Sequence, residues 1–134
     1  MRPQAKTATL LALLLPALAP AAGATTPDAL LEQWRAEAGA SGQPFAAARG
    51  RQLFETKVSD WSCSTCHTAD PRRGGRHVVT GKPIEPLSPA ANPARFTDQA
   101  KVEKWLRRNC RDVLQRECTP QEKGDVLTWL KSLK

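Results

Sequence analysis

The sequence predicts a small all-α domain. Four segments have apolar residues at helical spacing, and three of them begin with helix-start signals. No segment alternates apolar and polar residues as a half-buried strand does. Between the second and third of these segments, residues 68–95 are rich in proline, glycine and arginine, which is typical of a loop. A chain of 134 residues without a visible internal repeat suits a single domain.

Two predicted helices precede the loop. The first begins at Thr26 and ends within residues 39–42, where two glycines and a serine interrupt the pattern. The second is predicted over residues 45–56. Gly50 lies on its packing face, so another helix could approach closely at this point.

Two more helices follow the loop. The third is predicted from Thr97 to about Cys110. The last runs from Thr119 to Leu133, and its start carries a capping box in which Glu122 is the acidic member. Both helices have an apolar stripe that must face a core.

The most specific chemical signal lies a few residues after the second helix. Cys63 and Cys66 form a C-x-x-C pair, and His67 follows at once. Two thiols at this spacing can add across the vinyl groups of haem b, and the adjacent histidine then binds the iron. The spacing predicts one covalent haem c with His67 as the proximal ligand. We expect the helix of this motif and the final helix to pack around it.

Two other kinds of site use a C-x-x-C pair. A redox-active dithiol would need a βαβ pattern around it, which this sequence does not show. A four-thiolate zinc site would need Cys110 and Cys118, whose spacing is wide for a zinc knuckle. If haem takes the first pair, these two cysteines can form a disulfide or stay as buried thiols.

The N-terminus has the features of a secretory signal peptide. Arg2 and Lys6 precede a short apolar run, and residues 22–24 offer a small-residue cleavage site. Residues 1–24 are therefore predicted to be removed during export to the periplasm, and an uncleaved anchor is the alternative. No later segment is apolar enough to span a bilayer.

The remaining chain divides into two parts. Residues 25–44 are predicted to be an N-terminal helical extension, and residues 45–134 the haem domain. The signal contains two cations and no anion, so its removal lowers the net charge from +7 to +5. This charge suggests attraction to an acidic partner, and an ordinary solvated surface is the alternative. It is too weak and scattered to indicate nucleic-acid binding.

Few residues could bind the opposite side of the iron. Met1, the only methionine, lies in the predicted signal, and the chain has no tyrosine. His77, a lysine, an asparagine, water or an empty position remain. One stripe of the third helix consists of Val102, Trp105, Leu106 and Asn109. On this stripe Asn109 needs a polar partner, which could be the iron or the C-terminal end of its own helix. His77 is close to the motif, which favours a contact with a haem propionate.

The haem motif, the Asn109-Cys110 pair and Cys118 together resemble a known family. This is the sphaeroides haem protein and cytochrome c″ family, which consists of class I-like monohaem cytochromes c with a disulfide beside the sixth haem ligand. The resemblance extends over about residues 45–133. It implies a cytochrome c-like helical domain wrapped around one covalent haem.

The resemblance also implies roles for individual residues. It assigns thioether bonds to Cys63 and Cys66, and a disulfide to Cys110 and Cys118. Asn109 becomes the sixth ligand, whereas the cytochrome c″ branch has histidine at that position. Trp105 and Leu106 would shape the pocket beside the iron.

Three functions are compatible with these residues. The first is a periplasmic cytochrome that accepts electrons and, when reduced, releases the asparagine to bind oxygen or another diatomic gas. The family implies a dihaem cytochrome c or a membrane cytochrome b as its redox partner. The second is an electron shuttle with a closed six-coordinate haem. The third, an enzyme that consumes oxygen or nitric oxide, ranks last because no acid–base pair beside the pocket is identifiable.

Overall fold

The computed structural model describes residues 23–134 and confirms the all-α prediction. The helices are α1 (Pro27–Ala38), α2 (Ala47–Glu55), α3 (Cys63–His67), α4 (Gln99–Leu114) and α5 (Pro120–Ser132), and a 3₁₀ turn (Gly39–Ser41) follows α1. The predicted signal peptide lies outside the described residues except for its last two, which extend along the start of α4 through a hydrogen bond from the Gln99 amide to the Gly23 carbonyl. Within residues 23–134, no helix is both long and apolar enough to cross a membrane.

The helix starts follow the local signals in the sequence. The Thr26 hydroxyl accepts a hydrogen bond from the Ala29 amide, and the Asp98 carboxylate accepts one from the Lys101 amide. At α5 the capping box forms as predicted between Thr119 and Glu122, with distances of 2.9 and 3.2 Å. These caps satisfy amide groups that a helix leaves without partners.

Two findings differ from the prediction. A two-stranded antiparallel hairpin, β1 (Gly75–Arg76) and β2 (Pro83–Ile84), lies within the segment predicted to be loop alone. In addition, α4 continues four residues beyond Cys110, because Val113 and Leu114 are buried in the core. The helix ends at Gln115, which adopts a left-handed conformation.

The core is built around α5. Leu30 and Trp34 of α1 are completely buried against Leu127 on one side of α5. Phe54 of α2 packs against Trp129 with 4.9 Å between ring centroids. The predicted N-terminal extension therefore shares its core with the rest of the chain.

Gly50 allows α2 to cross close to α5, as the sequence predicted. A Cβ atom at this position would lie only 2.0 Å from the Asp125 carbonyl oxygen. The buried Asp125 carboxylate joins the same two helices, accepting hydrogen bonds from the Ala46 amide and from the Arg49 guanidinium. This tight crossing positions Phe54, which faces the haem motif.

Candidate haem site

The C-x-x-C-H motif forms α3, a helix of little more than one turn. Ser62 precedes it, is buried, and donates its backbone N–H to the Thr65 hydroxyl at 2.9 Å. One helical turn brings Cys63 and Cys66 to neighbouring positions on the same side of the helix, since residues three apart face the same way. Both cysteines are free thiols.

Cys63 lies between two parts of the core. It packs against the cluster of Phe54, Trp129 and Leu130, and also against the cluster formed by the C-terminal half of α4. Burial raises the pKa of its thiol to about 11. The thiol is therefore protonated and uncharged at neutral pH, as suits an apolar environment.

The imidazole of His67 is half-buried beside Phe54. The two ring centroids are 6.1 Å apart, and the rings are tilted by 46°. Burial, and to a lesser extent the positive charge of Arg95, lower the pKa of His67 to about 4. At neutral pH the ring is therefore neutral, which is the form that binds a metal. Among the described residues its nitrogens have no hydrogen-bonding partner.

The hairpin packs directly on α3. A Cβ atom at Gly75 would lie 1.9 Å from the Cys66 carbonyl oxygen, so only glycine allows this approach. The Val78 amide donates a hydrogen bond to the Cys66 sulfur at 3.4 Å. The hairpin thus covers the second cysteine of the motif.

His77 stabilises the turn of this hairpin. Its Nδ1 accepts hydrogen bonds from the amides of Val79 and Thr80, both at 3.2 Å. One ring nitrogen is thus used within the loop. The predicted propionate contact would have to use the other nitrogen, and it stays a prediction.

Asn109 lies well inside α4. The helix extends five residues beyond it, so the alternative in which Asn109 caps the helix C-terminus is wrong. The residue is half-buried, and its side-chain amide has no hydrogen-bonding partner among the described residues. No protein group among the described residues therefore serves as the polar partner that the sequence analysis expects for Asn109.

The two remaining cysteines form a disulfide. Cys110 and Cys118 are bonded across the α4–α5 connection, with 5.6 Å between their Cα atoms. The four-thiolate zinc alternative is therefore wrong, because two of the required thiolates do not exist. Cys110 is buried in the cluster that also contacts Cys63, so the α4 segment next to Asn109 and the haem motif meet in the core.

The two predicted pocket residues have different surroundings. Leu106 packs against the core cluster of Leu30, Trp34 and Leu127. Trp105 is 44% exposed, with Lys104 and Arg108 within 6 Å of its ring on the helix surface, at 5.9 and 5.6 Å. Leu106 therefore packs in the core, whereas the Trp105 ring is partly accessible at the surface of α4.

The donor set fits a covalently held haem. Two thiols, of which Cys63 is uncharged, and a neutral imidazole lie on one short helix, beside Phe54 and other apolar side chains. Large apolar side chains are also exposed in the hairpin, where Val78 and Val79 are 46% and 68% accessible. An apolar porphyrin with a central metal matches both features better than a hydrated ion does.

Sequence reasoning missed two residues near the motif, Gly75 and Arg95, and the turn-forming role of a third, His77. Gly75 and the turn-forming role of His77 depend on a hairpin whose strands are too short to show alternation. Arg95 acts on His67 from 28 positions further along the chain. The Gly74-Gly75 pair was the one local signal, since glycine in a strand often marks a close backbone approach.

Known proteins similar to this chain are haem proteins. A family model described as Domain of unknown function (DUF1924) matches residues 40–130. The curated Cytochrome c-type protein SHP from Cereibacter sphaeroides is 52% identical over 114 residues, which cover 81% of this chain and 85% of that protein.

Two solved structures have the same fold. One, described as oxidized SHP, an oxygen binding cytochrome c, superposes with a TM-score of 0.74 at 50% identity, and covers 82% of this chain and 99% of that one. The other is the solution structure of cytochrome c″ from Methylophilus methylotrophus, described as giving insights into the structural basis of haem-ligand detachment. Its TM-score is 0.68 at 31% identity, with 78% of this chain and 90% of that one covered.

Proposed function

The chain belongs to the sphaeroides haem protein and cytochrome c″ family, and on this premise we propose that it is an exported c-type cytochrome that binds a diatomic gas when reduced. Haem bound here would supply one-electron redox chemistry and a coordination position for a small ligand. The observation that carries the proposal is Asn109, a half-buried side-chain amide inside α4 that has no hydrogen-bonding partner within residues 23–134.

Cys63, Cys66 and His67 hold the group in this proposal. The two thiols would form the thioether bonds, and the neutral imidazole would bind the iron. The low pKa of His67 supports this role, because protons then compete poorly with a metal for the ring nitrogen. Phe54 restricts the orientation of the ring by packing beside it.

Asn109 would hold the iron of this group through its amide oxygen. This oxygen is a neutral, hard donor, and such donors favour ferric over ferrous iron. Reduction of a bound haem would therefore weaken this contact, and Asn109 could leave without any proton transfer. The oxygen binding described for SHP and the ligand detachment described for cytochrome c″ support this sequence of events.

The disulfide keeps the helix in place while the side chain moves. Cys110 follows Asn109 directly, is 6% exposed, and is bonded to Cys118, which lies just before α5. A short closed loop of this kind contributes about 2.5 kcal/mol of stability. Release of the ligand can thus be a side-chain rotation of Asn109 and need not involve unfolding of α4.

The electron comes from a redox protein in the periplasm, a dihaem cytochrome c or a membrane cytochrome b. The surface of α4 supports a partner with acidic groups. Its exposed cations are Lys101, Lys104, Arg107, Arg108 and Arg111. Among the described residues only Arg108 and Arg111 of this group form ion pairs with carboxylates.

Substitution of Asn109 tests the ligand assignment. We expect Asn109→Ala to convert the ferric spectrum to that of a weaker ligand such as water. We expect Asn109→His to hold both oxidation states in a low-spin form and to slow carbon monoxide binding at least about tenfold, a barrier increase of about 1.4 kcal/mol. Optical spectra measure the change of ligand, and stopped-flow mixing with carbon monoxide measures the binding rate.

Asn92→Ala is the matched control. The amide of Asn92 is engaged in the loop, with its nitrogen donating to the Pro86 carbonyl and its oxygen accepting from the Ala94 amide. Its substitution should leave the ferric spectrum unchanged. An unchanged ferric spectrum in Asn109→Ala would show that a different group is the sixth ligand.

A further inference from the structure

Glu103 links α4 to two other helices. Its Oε1 accepts a hydrogen bond from Nε1 of Trp34 in α1 at 2.8 Å, and its Oε2 accepts one from Nζ of Lys123 in α5 at 2.7 Å. The ammonium group of Lys123 also lies 5.7 Å from the centre of the Trp34 ring, a distance at which a cation and an indole attract each other. The three side chains thus form a closed network in which each contacts the other two.

This network is shielded from water. Trp34 is completely buried, and the side chains of Lys123 and Glu103 are only 15% and 25% exposed. Solvent ions screen a partly buried pair less than a surface pair, and hydrogen bonds to a charged group are stronger than neutral ones. A carboxylate with two partners in fixed directions also determines how its helix is rotated, whereas apolar contacts have no preferred direction.

Glu103 and the disulfide hold the same face of α4. Glu103 and Cys110 are seven residues apart, which is about two helical turns, so both project from one side of the helix. Cys118, Glu103 and Lys123 line one small cavity of about 100 Å³, so the network and the disulfide are neighbours. Asn109 directly precedes Cys110, and its direction therefore depends on the rotation that these two anchors impose on α4.

We propose that Glu103 is a positioning residue for Asn109, which orients this side chain by fixing the rotation of α4 against α1 and α5. The inference rests on the proposed function, since it assumes that Asn109 holds the iron of a bound haem. Glu103 acts through the backbone of α4, because its own carboxylate is occupied by Trp34 and Lys123. Groups that orient a metal ligand in this way typically change the strength of ligation about tenfold or more.

Imidazole binding to the ferric holoprotein tests this inference, because added imidazole must displace Asn109. At about pH 8.5 the probe is largely uncharged, so loss of the Glu103 carboxylate does not attract it. We expect Glu103→Ala to raise the affinity for imidazole about tenfold, a free-energy difference of about 1.4 kcal/mol. Glu103→Gln keeps an oxygen that can accept the Trp34 hydrogen bond, and it should raise the affinity only about threefold. Optical titration measures both changes.

The Asn109→Ala background distinguishes positioning from a purely structural role. In this variant imidazole has no Asn109 side chain to displace, so the further change Glu103→Ala should alter the affinity less than about twofold. A purely structural role of Glu103 would alter the affinity equally in both backgrounds. If Glu103→Ala does not fold, Trp34→Phe takes its place, because phenylalanine keeps a ring in the core and removes the N–H donor.

Asp28→Ala is the matched control. It also removes a carboxylate that pairs with a lysine, Lys131, and this pair joins α1 to α5 without involving α4. Its imidazole affinity should stay within about twofold of the wild type, a limit of about 0.4 kcal/mol. The inference is overturned if Glu103→Ala leaves the affinity unchanged, if Asp28→Ala raises it equally, or if the effect of Glu103→Ala persists in the Asn109→Ala background.

The same variants separate this inference from the function on which it rests. An imidazole affinity raised by Asn109→Ala and not by Glu103→Ala would contradict only the role of Glu103. Reduced protein that excludes carbon monoxide, while Glu103→Ala still raises the imidazole affinity of the ferric form, would contradict only the gas-binding function. An affinity that Asn109→Ala does not change would contradict the ligand assignment, and the role of Glu103 with it.

Discussion

The free energy of unfolding of a Gly50→Ala variant is expected to be about 3 kcal/mol lower than that of the wild type. In most helices this substitution is stabilising by roughly 0.5–1 kcal/mol, because alanine is the better helix former. Here the added Cβ would lie 2.0 Å from the Asp125 carbonyl oxygen, which belongs to the backbone of α5 and cannot rotate away. The two helices must separate, and the packing of Phe54 on Trp129 is lost with them. Urea unfolding of the holoprotein measures the difference.

Ala48→Gly in the same helix is the control for this prediction. Ala48 is exposed, so the substitution changes helix propensity without changing packing, and it should cost about 1 kcal/mol. A Gly50→Ala variant that is as stable as the wild type would show that α2 and α5 do not cross at this glycine.

The yield of covalently attached haem is expected to fall at least tenfold in a Gly75→Ala variant. The new Cβ would lie 1.9 Å from the Cys66 carbonyl oxygen, so the hairpin could not pack on α3. Overpacking of this kind costs about 2 kcal/mol, and each 1.4 kcal/mol changes a population about tenfold. The ratio of haem absorbance to protein, together with haem staining after denaturing electrophoresis, measures the attached fraction.

Gly74→Ala provides the comparison from the neighbouring position. The atom nearest to the new Cβ at this position would be the Ile84 carbonyl oxygen, at 3.2 Å, and a small shift can relieve this contact. Its attached fraction should stay within about twofold of the wild type, a difference of about 0.4 kcal/mol. Equal yields from both alanine variants would mean that the approach of the hairpin to α3 does not matter for haem attachment.

The sequence predicts correctly those elements that depend on residues close to one another in the chain. The capping box of Thr119 and Glu122 and the close approach at Gly50 both follow from residue types at short spacing, and the structure has both. The end of α4 was placed four residues too early because its last turn is stabilised by core contacts of Val113 and Leu114. Such contacts join distant parts of the chain, and periodicity does not show them.

In the candidate site, too, some residues are recognised from local spacing and others depend on the fold. Cys63, Cys66 and His67 are recognised from sequence because the chemistry demands a fixed spacing along one turn of helix. For Asn109 the sequence left two interpretations open, and the observed helix end removed the capping one. Arg95 could not be found from sequence, since it lies 28 positions beyond His67 and no local pattern joins the two residues.

Release of Asn109 on reduction is the central claim, and optical spectroscopy of the wild-type holoprotein tests it most directly. Spectra are recorded for the ferric protein, for the dithionite-reduced protein, and for the reduced protein under carbon monoxide. We predict a high-spin ferrous spectrum that shifts when carbon monoxide is added, because the amide oxygen has left the iron. Sharp low-spin ferrous bands that carbon monoxide does not change would contradict the account, and the protein would then be an electron shuttle with a closed site.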